Sequence, residues 1–148
     1  MFVKPLAVLA ALALSGCNIA AAAPQASAKV EGAQPSDAMV RFASVCKDFD
    51  DWDKPTEPFL IHGNTWYVGT CGITAILIRG KDGAVLIDTG TDKGAQAIAA
   101  NIASLGVKPG EIKAILGSHE HFDHVGGLAR FQALTGAPVL VGAGARSE

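Results

Sequence analysis

Ser118-His119-Glu120-His121-Phe122-Asp123-His124-Val125-Gly126-Gly127 places four potential metal ligands within six residues and takes up three of the chain's four histidines. Zinc prefers imidazole nitrogen and carboxylate oxygen at about 2.0–2.2 Å, and this H-x-H-x-D-H pattern offers both. Side chains two apart in extended backbone project to the same side, so His119 and His121 suit one ion. His124 breaks that period. A turn near Phe122 would send Asp123 and His124 towards a second ion, about 3.5–4 Å from the first if a bridging oxygen is shared. A structural zinc usually closes with four ligands, often cysteines, and neither Cys46 nor Cys71 lies near the motif.

Outward from the motif, the apolar run Ile112 to Leu116 reads as the strand that delivers it. The Gly126-Gly127 pair lets backbone approach the site closely and opens a second helix, whose apolar face is Leu128, Phe131 and Leu134, with Gly136 as its stop. Upstream, Ala95, Ile98, Ala99, Ile102 and Leu105 recur at helical spacing, with Thr91 or Asp92 available as cap and Gly106 as stop. Before that helix come strand-like stretches: Phe59 to His62 and Thr65 to Val68 about a Gly63-Asn64 turn, then Ile73 to Arg79 and Ala84 to Asp88 about Lys81-Asp82-Gly83. Pro138 to Val141 begins another strand. Hairpins first and alternating helix and strand afterwards describe an α/β (α+β) chain: a mixed sheet with helices on one face and the other face open.

At 148 residues one domain is the natural reading. Twelve Lys and Arg against 14 Asp and Glu leave a net charge of -2, without a basic run to follow a phosphate backbone, which argues against nucleic acid as a partner. The first 16 residues read as an export signal: Lys4, then an apolar run Leu6 to Leu14 too short to span a bilayer. Leu14-Ser15-Gly16-Cys17 resembles a bacterial lipobox, which implies a lipid on Cys17 and a tether facing the periplasm. An ordinary secretory cut after Ala23 is the alternative, and both export the chain. Residues 17–38, rich in Ala, Pro, Gln, Ser and Gly, read as a flexible tether. Residues 39–57 form an arm, either a short helix ending near Pro55 or irregular, whose Phe42, Val45, Phe49 and Trp52 need the following domain to lie on. Cys46 and Cys71 are then left as a disulfide pair in an oxidising compartment or as two separate buried thiols.

Asp88-Thr89-Gly90, a helix, a strand and the Ser118-to-Gly127 stretch together closely resemble the metallo-β-lactamase superfamily, metal-dependent hydrolases with an αββα sandwich fold. Trp52-Asp53-Lys54-Pro55, Pro58-Phe59 and Gly63 to Thr70 are similar to the third subclass (B3) of class B β-lactamases. The resemblance implies two zinc ions, His119 and His121 on the first, Asp123 and His124 on the second, and one further later histidine for each. Only His62 remains in this chain, and it precedes the motif. Residues 58–148 therefore read as the N-terminal half of such a domain, a truncated piece inactive alone.

The implied function is hydrolysis of the β-lactam ring of antibiotics, and so resistance, by metal-activated water. Asp123 is the implied catalytic residue, ligating zinc and orienting that water. Asp88, at its strand end, is expected to accept hydrogen bonds from the metal loop. Ser118 is expected to satisfy backbone and Trp52 to pack. The implied partner is a small-molecule β-lactam, with a membrane reached only through the lipid. A lactonase or thioesterase of the same fold, or an inactive metal-binding fragment, are the competing readings.

Overall fold

The computed structural model describes residues 36–48 and 51–143. The export signal, Cys17, most of the tether and Phe49 lie outside the described residues. The opening helix, α1, spans Asp37–Val45, beginning inside the stretch read as tether and ending ten residues short of Pro55. Ser36 explains its start, because its hydroxyl accepts the Met39 N–H at 3.3 Å as an N-cap.

Six strands follow in one sheet whose spatial order is their chain order: β1 (Phe59–His62), β2 (Thr65–Tyr67), β3 (Ile76–Gly80), β4 (Gly83–Ile87), β5 (Ile112–Leu116) and β6 (Val139–Leu140). The tight turns make β1 to β4 antiparallel neighbours. The helix α2 (Ala95–Ser104) carries the chain back so that β5 runs parallel to β4, and α4 (Leu128–Thr135) does the same for β6. The third strand begins at Ile76 rather than Ile73, because residues 69–73 turn to meet the arm. There the Thr70 N–H donates to Ile73 and the Cys71 N–H to Lys54.

Leu77, Leu86 and Ile115 alternate onto one face and are fully buried against Ala95, Ile98 and Ile102 of α2 and Phe131 of α4. The register slips between Ala84 and Val85, which lets Ile112 join Ile115 in that core although the two are three apart. Asn101, buried in α2, donates to the carbonyls of Val68 and Gly69 at 3.0 Å each and so pins the helix to the end of β2. Thr91, one of the two expected caps, accepts the Gly94 N–H on its hydroxyl at 2.8 Å. Leu134, expected on the apolar face of α4, sits in its last turn and is half-exposed. Gly136 ends that helix at φ +67, where a side chain would be strained.

On the opposite face Ile76, Ile78, Val85, Ile87 and Leu116 are only partly buried. Trp66 and Tyr67 divide between the faces, Trp66 against the core and Tyr67 stacked on Phe59 with ring centroids 4.8 Å apart. Phe42 of α1 covers that pair at 5.3 and 5.2 Å. Cys46 and Cys71 are joined in a disulfide that holds the end of α1 to the loop after β2. No helix among the described residues is long and apolar enough to cross a membrane.

Candidate metal centre

The parallel strands β4 and β5 end side by side, and two loops leave the sheet there. From β4 comes Asp88-Thr89-Gly90; from β5 comes the histidine loop. The Asp88 N–H donates to the Leu116 carbonyl at 2.8 Å, after which Asp88 turns out of the strand at φ +61. It is the one non-glycine at positive φ among the described residues. Such a backbone persists only where its surroundings over-determine it, and the partners of Asp88 are abundant. Its Oδ1 accepts the Ser118 N–H at 2.7 Å. Its Oδ2 accepts the Ser118 hydroxyl at 2.7 Å and faces His124 Nδ1 at 2.9 Å. Thr89 adds its N–H and hydroxyl to the His124 carbonyl at 2.8 and 3.1 Å. Gly90 accepts the Gly127 N–H at 3.1 Å and bridges to Val125.

Between the loop and the second helix the chain makes one turn of helix, α3 (Phe122–Val125), with His121 at its start. That turn ends the alternation of extended backbone. His119 and His121 lie with ring centroids 4.8 Å apart, and His119 and His124 at 3.9 Å. Asp123 Oδ2 stands 3.4 Å from His124 Nε2. The two glycines fit for want of space rather than for unusual φ. A Cβ on Gly126 would lie 2.8 Å from the Asp92 nitrogen, and one on Gly127 would lie 2.5 Å from the Thr89 oxygen.

A carboxylate only accepts, so the proton between Asp88 and His124 sits on Nδ1, and in the neutral ring the Nε2 lone pair then faces Asp123. With that ring neutral, two acceptor atoms face each other 3.4 Å apart, an arrangement that a cation between them would resolve; with the ring protonated, the two groups form an ion pair. Donors each about 2.0–2.2 Å from a tetrahedral ion are separated by about 3.4 Å, so the spacing fits zinc. Asp88 stands where an outer carboxylate would fix the tautomer of His124 were that ring to hold a metal. Among the described residues no three His, Cys, Asp or Glu side chains converge closely enough to hold an ion together. His62 does not add to the set: its pairing with Thr65, and that of Thr65 with Ile78, places it at the opposite end of the sheet. Glu120 is exposed and outside these contacts.

Two contributions escape a reading by motif. Ser118 contacts Asp88 and, through the same hydroxyl, His119 Nδ1 at 3.0 Å. The N-terminal arm reaches this end of the sheet, where Trp52, 48% exposed, lies 5.8 Å from Phe122, 66% exposed. Asp53 meets the Thr91 hydroxyl and lies 3.6 Å from Lys93 Nζ. The density of Trp and Asp in the arm was the available signal, but nothing in it names Phe122 as the neighbour.

The sequence profile of the metallo-β-lactamase superfamily matches residues 68–147. Human metallo-β-lactamase domain-containing protein 1 is 37% identical over 73 residues, 49% of this chain and 26% of that protein. Among solved structures, the MIM-2 metallo-β-lactamase is 53% identical with a TM-score of 0.67, over 70% of this chain and 39% of its own. SMB-1, a metallo-β-lactamase solved with mercaptoacetic acid, is 51% identical at a TM-score of 0.63, over 65% and 37%. MEM-A1, a subclass B3 enzyme from a soil metagenome library, is 47% identical at 0.63, over 64% and 36%. The chain thus spans under two fifths of these structures' length and about a quarter of the human relative's. With the profile covering more than half of its residues and the αβ layer and histidine loop in place, this chain belongs to the metallo-β-lactamase superfamily.

Proposed function

We propose that this chain is part of a zinc-dependent hydrolase that opens the β-lactam ring of antibiotics. His119 and His121 are assigned to one ion, Asp123 and His124 to a second. What supports the assignment is the 3.4 Å approach of Asp123 Oδ2 to His124 Nε2, the separation two ligands of one tetrahedral zinc would have, with Asp88 behind the ring on Nδ1. Likeness to three metallo-β-lactamases at 47–53% identity supports the choice of substrate.

Bound zinc supplies a lowered water pKa, about 7, and polarises a carbonyl oxygen. The chain's own groups do the rest. Asp123 accepts and orients a proton of the attacking water, Asp88 holds His124 in register, and Trp52 with Phe122 offers an exposed aromatic wall for the apolar part of a substrate. Ser118 is not a nucleophile in this scheme, since its hydroxyl proton is committed to Asp88. Export belongs to the same proposal, ending in a periplasmic enzyme with Cys17 lipidated; the mass of the mature N-terminus tests it against a cut after Ala23.

A second reading is a lactone or thioester hydrolase of this superfamily, whose domain the human relative shares. The gene's full product, purified with its metal, separates the two. A chromogenic cephalosporin should be hydrolysed, chelation should abolish the rate, and added zinc should restore it. Cleavage of lactones or thioesters with the cephalosporin untouched selects the second reading, and turnover that survives complete metal removal sinks both. In that product Asp123→Ala should lower turnover by roughly two orders of magnitude or more, several kcal/mol of lost charge stabilisation.

A further inference from the structure

We propose that Asp88 sets the tautomers of two histidines at once, His124 directly and His119 through the Ser118 hydroxyl, so that one carboxylate prepares a ligand for each ion. The inference deepens the metal assignment above and rests on it for its purpose, but its physical content concerns protons on this chain alone.

The argument is a count of hydrogens. Asp88 Oδ2 lies 2.7 Å from Ser118 Oγ and 2.9 Å from His124 Nδ1. An ionised carboxylate has no proton to give, so both contacts require the proton on the partner. Ser118 owns a single hydroxyl proton, and the contact with Asp88 uses it. Towards His119 Nδ1, 3.0 Å away, the serine oxygen can then only accept. His119 must carry a proton on Nδ1, which in the neutral ring leaves Nε2 bare. The opposite assignment, with Ser118 donating to His119, would set two acceptor oxygens 2.7 Å apart with nothing between them. The Ser118 N–H to Asp88 Oδ1 bond at 2.7 Å fixes the backbone from which the hydroxyl reaches both partners. Asp88 reaches from the end of β4, with its backbone at φ +61, to both Ser118 and His124 of the neighbouring loop.

Ser118 is therefore a positioning residue. Outer partners of this kind typically change metal affinity 10–100-fold. What sets this arrangement apart is that a change at Asp88 reaches both histidines, whereas a change at Ser118 reaches His119 only.

Long-range proton–nitrogen NMR correlations of the full, ¹⁵N-labelled chain, stripped of metal, test this directly. Wherever a single ring nitrogen is protonated, His119 and His124 should both carry that proton on Nδ1. His62, exposed at the far end of the sheet, serves as the internal reference. Ser118→Ala should release His119 to a mixture of tautomers and leave His124 unchanged, Ser118→Thr should restore His119, and Asp88→Asn should disturb both. The proposal is overturned if His119 is protonated on Nε2 in the unaltered chain, or if Ser118→Ala leaves its tautomer unmoved. Should Ser118→Ala not fold, the measurement on the unaltered chain still decides. Zinc titration of the same samples is read separately. Absence of binding with both Nδ1 protons in place would sink the metal assignment and leave the proton relay standing.

Discussion

The ring of Tyr67 is enclosed between Phe59 and Phe42, and its hydroxyl lies in the loop after β2, sharing its one proton between the carbonyls of Thr70 and, at 3.2 Å, Ile73. Burial pushes its pKa above the ordinary 10.0, with a hydrogen bond to Thr74 pulling the other way. A raised folded-state pKa means that stability is complete below pH 10.0 and is lost as pH rises through the folded value, because the unfolded chain ionises first. Tyr67 is the chain's one tyrosine, so absorbance of tyrosinate should show a midpoint above 10.0 with stability falling over the same range. A midpoint at or below 10.0 would contradict the burial of this ring. Gly127 makes a second test at this scale. Its added Cβ would meet Thr89 oxygen at 2.5 Å and Ala95 Cβ at 2.6 Å, so Gly127→Ala should cost about 1–3 kcal/mol in urea unfolding. Gly110→Ala, with nothing within 4 Å, should stay within about 0.5 kcal/mol.

Among elements, the arm and its staple show where tertiary contacts override local reading. Helix α1 stops at Val45, and beyond it the chain is held by partners distant in sequence: the disulfide to Cys71, the Thr70 hydroxyl on the Trp52 carbonyl, and the Lys54 carbonyl under the Cys71 N–H. A Cβ on Gly72 would lie 2.6 Å from Trp52 Cα, so backbone and backbone nearly touch there. The bridged cysteines are 25 residues apart, which corresponds to about 3–4 kcal/mol of loop closure. Cys46→Ser should lower unfolding free energy by about 3 kcal/mol, and a reductant should then have no further effect. A variant as stable as the unaltered chain would show the arm to be held by its other contacts.

For the whole molecule, α2 and α4 cover one side of the sheet. Among the described residues the other side is covered at β1 and β2 by Phe42 of α1 and is left partly open over β3, β4 and β5. Leu86 is fully buried under α2 and α4, while its neighbour Val85 on the opposite face is half-covered. Leu86→Ala should therefore cost about 2–5 kcal/mol and Val85→Thr less than about 1 kcal/mol. The 148-residue chain should also bind a dye such as ANS through Ile76, Ile78, Val85, Ile87 and Leu116. Equal costs at the two positions, or no dye binding, would mean that this face is covered in solution. The resemblance to an αββα sandwich expects a second sheet on that surface.

The spacing of apolar residues determined the order of strands and helices, because periods of two and of about 3.6 are local properties. The crowding of His119, His121, Asp123 and His124 beside two glycines carried the expectation of metal chemistry, because ligand preference belongs to residue types. Element ends were less legible: β3 starts late because Thr70 and Cys71 donate across the sequence to the carbonyls of Trp52 and Lys54. Only the folded chain decided that Asp88, 30 residues before Ser118, sits against it, and that Ser118 links the carboxylate to His119. A proton's position depends on which acceptor stands within about 3 Å, and that distance is set by two parallel strands ending side by side.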